Sequence, residues 1–172
     1  MTLKPITRII VILSLIFLNV GCDQISKSIV RQKIAPNERI SVIKHNLILT
    51  KVENTGAAYS LGSNLSPLVK TIVLQIIPAV VLMLLLVMLL VSKEYSKELI
   101  FGFCFIVGGG IGNIFDRIAY GSVTDFLYVD FGFFSTEIFN MADVSIVFGT
   151  LVVLWHSIFV KKDTAQVEEN IS

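Results

Sequence analysis

The 21 residues from Thr71 to Val91 carry no charge. A helix of ~20 apolar residues is what crosses the ~30 Å hydrocarbon core of a bilayer, where a helix can satisfy every backbone N–H and C=O within itself. That segment is a membrane span, with Pro78 expected to kink it by removing one backbone donor. Three further runs fit the same physics. Ile9–Cys22 is uncharged and reaches spanning length by continuing through Ser26, Leu99–Phe115 is a third run, and Met141–Val160 is a fourth. Composition agrees: 16% of residues are charged, where a soluble domain carries about 25%. The reading is a single all-α integral membrane domain over residues 1–172. Its four transmembrane helices fall at residues 7–28, 69–91, 98–117 and 139–160, followed by a polar tail, 161–172, that reads as disordered.

Between the first two spans lies a polar stretch, Arg31–Pro67, too long for a tight loop. Alternation in Arg39-Ile40-Ser41-Val42 and in Leu47-Ile48-Leu49-Thr50-Lys51-Val52 predicts short strands. The chain is therefore expected to carry a small extracytoplasmic β-rich cap between helices 1 and 2. Glu53-Asn54-Thr55-Gly56-Ala57-Ala58-Tyr59-Ser60 follows, a tight turn suited to close backbone approach, either as an ordinary hairpin or facing a substrate. Four spans put both termini on one side. Lys4, Arg8, Lys93, Lys97, Lys161 and Lys162 mark that side as cytoplasmic, although Arg31, Lys33, Arg39, Lys44 and Lys51 in the cap run against the pattern.

The amino-terminal segment imitates a lipoprotein signal peptide, with Lys4 and Arg8 before an apolar run that ends at Gly21-Cys22. Asn19, however, stands where such a cleavage site usually has Leu, so a retained helix is expected. On that helix Asp23 and Lys27 are i,i+4 neighbours able to pair. The net charge of +1, with no basic run interleaved with aromatics, gives no indication of nucleic-acid binding. Cys22 and Cys104 have neither metal-ligand spacing nor a disulfide framework around them. His45 and His156 are isolated, a loop residue and a helix-end residue, and no HExxH motif or nucleophile elbow occurs. No metal or other cofactor is expected.

The chemistry concentrates between Gly108 and Asp143. Gly108 and Gly112 make a GxxxG pair, which lets a neighbouring helix approach closely. No strand precedes this glycine cluster, which rules it out as a dinucleotide fingerprint. Gly109, Asn113 and Arg117 share one helix face at i,i+4 spacing, and Asn140 and Asp143 share another at i,i+3. The topology puts both sets at the outer end of the bundle, with Asp125 between them in sequence. Acids at a membrane are costly unless partnered, which makes them functional candidates. Two carboxylates held close share a proton, so that one can act as base and the other as acid. Spacing alone leaves three readings open: a peptidase, a proton-coupled carrier, or a structural polar cluster tying helix ends together.

Taken together, several blocks carry a more specific signal. They are Asp23-Gln24 with Lys27, Asn54-Thr55-Gly56-Ala57-Ala58, Gly108-Gly109 with Gly112-Asn113, Asp116-Arg117, Val123-Thr124-Asp125-Phe126, and Phe139-Asn140-Met141-Ala142-Asp143. In this order, over residues 23–143, the chain resembles bacterial lipoprotein signal peptidase, also called signal peptidase II. The resemblance implies an aspartic endopeptidase of the bacterial plasma (inner) membrane. It would cut diacylglyceryl-modified prolipoproteins just before the lipidated cysteine, in contact with membrane lipid. The chain is expected to act as a monomer, and the resemblance implies inhibition by the cyclic peptide globomycin. Asp125 and Asp143 match the family's catalytic pair. Asp23, Lys27, Asn54, Gly56, Gly108, Asn113, Arg117, Asn140 and Ala142 match its supporting positions. Asp116 is acidic and close by, but the pattern gives catalysis to Asp125.

Overall fold

The computed structural model describes residues 5–44, 46–57, 60–92 and 95–160. Lys4, His45, Ala58, Tyr59, Lys93, Lys161, Lys162 and the tail lie outside the described residues. Among the described residues, four helices are long and apolar enough to cross a membrane: α1 (Pro5–Lys33), α2 (Pro67–Val91), α3 (Lys97–Tyr120) and α4 (Met141–Phe159). Between α1 and α2 lie β1 (Ile40–Ile43) and β2 (Leu47–Asn54), close to the expected strands. They form a three-stranded antiparallel sheet, in the order β1-β2-β3, with β3 (Val123–Val129).

β3 is the addition to the expected architecture, because it comes from between α3 and α4. The β-branched and aromatic residues of Val-Thr-Asp-Phe-Leu-Tyr-Val suit a strand. The usual alternation is hidden because Val123, Thr124, Asp125 and Phe126 are all buried, so neither face of this half reads as solvent. Val52 lies opposite Asp125 and Asn54 opposite Val123, which brings the Asn54 turn to the acid-bearing end of β3.

Local sequence fixes the helix ends. The Ser96 hydroxyl accepts the Leu99 N–H at 3.3 Å to start α3. Gly121 ends it in the left-handed conformation at φ 76°, where a residue with a Cβ would be strained. In α2 the backbone widens into π-type turns over Ile72–Ile76, just ahead of Pro78, whose ring removes a donor and crowds the preceding turn.

Close approach of α3 to its neighbours depends on missing side chains. A Cβ at Gly108 would stand 2.6 Å from the Asn19 Cβ of α1, and one at Gly109 would collide with the Ala142 carbonyl of α4. Ile12, Ile16, Leu89, Cys104 and Val107 form the core of the bundle, and Val30, Ile34 and Phe126 bind the sheet to the end of α1. Phe17, Leu84, Val91 and Leu151 point outward, more than half exposed, as suits helices whose surroundings are lipid. Arg8 Nη2 donates to the Leu89 carbonyl at 2.9 Å, and Ser96 Oγ lies 3.4 Å from the His156 ring nitrogens. These contacts mark one end of the bundle. The sheet and the acidic residues of interest occupy the other.

Candidate active site

Asp143 is the third residue of α4, and the helix start is built around it. Asn140 is the N-cap: its Oδ1 accepts the Asp143 N–H at 3.0 Å, while Asp143 Oδ2 accepts the Asn140 N–H at 3.1 Å. This reciprocal capping box satisfies two donors that a helix start leaves open. It also holds the Asp143 carboxylate at the positive end of the helix dipole. The rest of the Asn140 side chain looks the other way, with Nδ2 donating to Asp125 Oδ1 at 2.6 Å. One fully buried amide therefore connects the two acids.

Each acid has a second amide partner. Asn113 Nδ2 donates to Asp143 Oδ1 at 2.8 Å, and Asn54 Nδ2 donates to Asp125 Oδ2 at 3.1 Å. Asn54 is itself fixed by an Asx turn in which its Oδ1 accepts the Gly56 N–H at 2.9 Å. Gly56 is needed here for space, since a Cβ would lie 2.6 Å from the Leu61 carbonyl oxygen. Burial pushes the Asp125 carboxyl up to about 6. The amides of Asn140 and Asn54 pull it down, and the charge of Asp143 adds to the rise.

Arg117 follows Asn113 by one turn of α3. Its Nη2 donates to the Gly56 carbonyl at 3.1 Å, and its Nε is buried with no hydrogen-bond partner among the described residues. Arg117, Asn54, Asp125, Asn140 and Asp143 together line a cleft of about 330 Å³. Phe139, Ile146 and Val147 add an apolar wall.

Behind the cleft lies a buried ionic network. Lys27 Nζ is completely buried, 2.8 Å from Asp23 Oδ2 and 3.1 Å from Asp116 Oδ2, and it donates to Asn113 Oδ1 at 2.9 Å. With its oxygen taken by Lys27, Asn113 presents its NH₂ to Asp143. Asp23 Oδ1 accepts the Ala142 N–H at 2.9 Å, which is another open donor at the start of α4. The close passage that Gly108 and Gly112 allow lets α1 deliver these groups: a Cβ at Gly112 would meet Asp23 Oδ2 at 2.5 Å.

The structure thus gathers the sequence-derived candidates in two tiers. Asp125, Asp143, Asn54, Asn140 and Arg117 line the cleft. Asp23, Lys27, Asn113, Gly56, Gly108 and Ala142 hold those residues in place.

Three participants were not read from the sequence. They are Arg31, Thr124 and Glu53, and they gather at Asp116. It accepts an ion pair from Arg31 Nη2 at 2.8 Å as well as the one from Lys27. Arg31 Nε donates to Thr124 Oγ1 at 2.8 Å, and Thr124 Oγ1 donates to Glu53 Oε1 at 2.9 Å. The signal for Arg31 was available, because Asp23, Lys27 and Arg31 follow one another at four-residue intervals along one face of α1. Thr124 and Glu53 carried none, since they meet across the β2–β3 pairing.

A four-span helical bundle with two amide-linked carboxylates in a cleft at one end defines a class: polytopic membrane proteins with a candidate acid/base site at the end of the spans. Comparison with known proteins narrows it. The family model for signal peptidase (SPase) II matches residues 15–159, and the chain belongs to that family. It is 36% identical over 161 residues to the lipoprotein signal peptidase of Enterococcus faecalis, covering 91% of this chain and 93% of that one. The identity is 30% with the corresponding protein of Desulforapulum autotrophicum, covering 94% and 98%. A bacterial membrane enzyme solved by the in meso method at 2.3 Å resolution superposes with a TM-score of 0.77, at 27% identity and over 91% of this chain and 90% of that one. The chain is therefore a peptidase with four membrane-spanning helices.

Proposed function

We propose that this protein removes signal peptides from diacylglyceryl-modified prolipoproteins, cutting before the lipidated cysteine, and that Asp125 and Asp143 are its catalytic pair. The observation that carries this reading is Asn140, which donates from its side chain to the buried Asp125 carboxylate and from its backbone N–H to the half-buried Asp143 carboxylate, at the head of one cleft. Asp143, facing two N–H donors at the start of α4, is the base that takes a proton from water. The resulting hydroxide adds to the scissile carbonyl carbon. Asp125, whose carboxyl holds a proton up to a pH of about 6, donates it to the carbonyl oxygen. Collapse of the tetrahedral intermediate returns that proton and breaks the C–N bond, and the leaving amine takes a proton from the pair. Arg117 Nε, which has no hydrogen-bond partner among the described residues, is a candidate donor to a substrate carbonyl.

The same pairing argues for water activation by carboxylates over activation by a metal. Among the described residues, no three of His, Cys, Asp or Glu converge in a way that could hold a metal ion. The proton-coupled carrier fits less well, because the cleft sits at one end of the bundle beside the sheet and not along the helices. With Lys4, Arg8 and Lys97 cytoplasmic, the cleft opens on the outer face of the plasma membrane, and the protein works there as a monomer.

The test is incubation of the purified protein with a diacylglyceryl-modified prolipoprotein, with both products weighed by mass spectrometry. The expected products are a free signal peptide and a chain beginning at the lipidated cysteine. Cleavage elsewhere, or equal cleavage of the unlipidated precursor, would overturn the substrate assignment.

A further inference from the structure

Beyond Val129, ~13 Å of strand from Asp125, β3 runs into a tight hairpin that is aromatic and uncovered. Phe133 is 94% exposed, and Phe131 and Phe134 are each more than half exposed. The turn is firmly built. Asp130 Oδ1 accepts the Gly132 N–H at 2.7 Å, Phe131 N–H donates to the Phe134 carbonyl at 2.8 Å, and Gly132 takes the left-handed conformation at φ 84°. The Phe131 and Phe134 rings are parallel to within 13°. Asp130 and Asn46 exchange backbone and side-chain hydrogen bonds at 2.8 Å, which sets the hairpin beside the β1–β2 turn. There Ile43 is also exposed and Lys44 follows it. A soluble surface seldom exposes four large apolar side chains on two neighbouring loop tips.

The position of the hairpin says what covers it. Its returning limb, through Thr136, Glu137 and Phe139, forms one wall of a groove of about 470 Å³ whose inner end reaches Asp143. The opposite wall is the outward side of α4, formed by Val144, Val147, Phe148 and Leu151. That side belongs to a spanning helix and faces acyl chains. The aromatic tip is thus joined, through its returning limb, to the outward side of a spanning helix. Exposed Phe and aliphatic side chains with a basic residue beside them are the groups that bury at the boundary between headgroups and acyl chains.

We infer that the Phe131–Phe134 hairpin inserts into the phospholipid leaflet at the cleft end of the bundle. The anchor fixes the height of β3, and of the Asp125 it carries, relative to the bilayer. A cleft held at a set depth meets a lipidated substrate at a set distance from its acyl chains.

The test uses the full chain in bilayer nanodiscs, with Phe133→Trp introduced beside Trp155→Phe to leave a single indole. Lipids brominated near the glycerol end or deep in the acyl chain serve as quenchers. Blue-shifted emission, quenched more strongly by the shallow bromines, is expected. Emission like that of indole in water and insensitive to bromine would overturn the inference. So would a blue shift that depends on the protein-to-lipid ratio, which would seat a second copy there, or one that requires added prolipoprotein. This readout needs no peptidase activity and stands apart from the proposed reaction. The triple variant Phe131→Ser/Phe133→Ser/Phe134→Ser should then lower processing about tenfold in bilayers, by analogy with other small misplacements of a site, and leave it unchanged in detergent micelles. Equal loss in both media would contradict an anchoring role.

Discussion

Asn140 donates hydrogen bonds to both carboxylates, and the predictions at the scale of single residues start from that link. Raising the carboxyl of Asp125 to about 6 means that the folded chain holds a proton there which the unfolded chain, at the ordinary value of 3.8, has released. The native state therefore binds more protons between those values, and stability must fall as pH rises through them. Asp125→Asn removes this dependence. The stability of the parent relative to the variant should decline between about pH 4 and pH 7, by as much as ~3 kcal/mol, as read by thermal unfolding in matched detergent. A difference independent of pH would mean that Asp125 is not held in its protonated form. Activity should fall across the same upper limb, with kcat/KM decreasing above about pH 6 as the acid loses its proton. Asp116→Asn belongs to a different class. It strips a partner from the buried Lys27 and from Arg31, a change that costs roughly 3–5 kcal/mol. Folded yield and thermal stability should drop, while the protein that does fold continues to cleave.

At the scale of helices and strands, the glycines of α3 decide whether the acids meet. Gly109→Ala drives a Cβ into the Ala142 carbonyl, one residue before Asp143, and should push the start of α4 away from Asn113 and Asp125. A loss of about 1–3 kcal/mol in stability is expected, together with reduced turnover of the folded protein. Gly21→Ala on α1 meets nothing within 4 Å and should be neutral on both counts, which makes it the matched control. These elements also show how far the sequence could be read. The four spans were legible because bilayer thickness imposes a length and an apolar composition that no other constraint imitates. Asp125, Asp143 and their amides were legible as blocks of a family pattern, and Asn113 and Arg117 also as one helix face. The third strand was not, because all of Val123–Phe126 is buried and the period-two pattern disappears. The pairing of Asp116 with Arg31 was not, because it joins α1 to α3 across 85 residues and depends on how closely Gly108 lets them pass.

At the scale of the whole molecule, the bundle and the sheet divide the work between lipid and water. The spans have apolar outer faces and the polar network is enclosed at one end, beside the cleft; in the proposed reaction a lipidated peptide would keep its acyl chains in the bilayer and present its scissile bond there. A carboxylate pair needs no metal, so activity should survive EDTA and serine-protease reagents, whereas globomycin should stop it. Loss on chelation, restored by a divalent ion, would point to a different mechanism. The central claim is that Asp125 and Asp143 act as one catalytic unit, and the most direct measurement is turnover of a diacylglyceryl-modified prolipoprotein by Asp125→Asn, Asp143→Asn, the double variant and Asp116→Asn, each first shown to be inserted and folded. The account predicts losses of at least ~10²-fold for either single variant. The double variant should be no worse, because groups acting together do not contribute additively, and folded Asp116→Asn should retain turnover. Near-parental activity in folded Asp125→Asn or Asp143→Asn, or an inactive Asp116→Asn that folds normally, would contradict it.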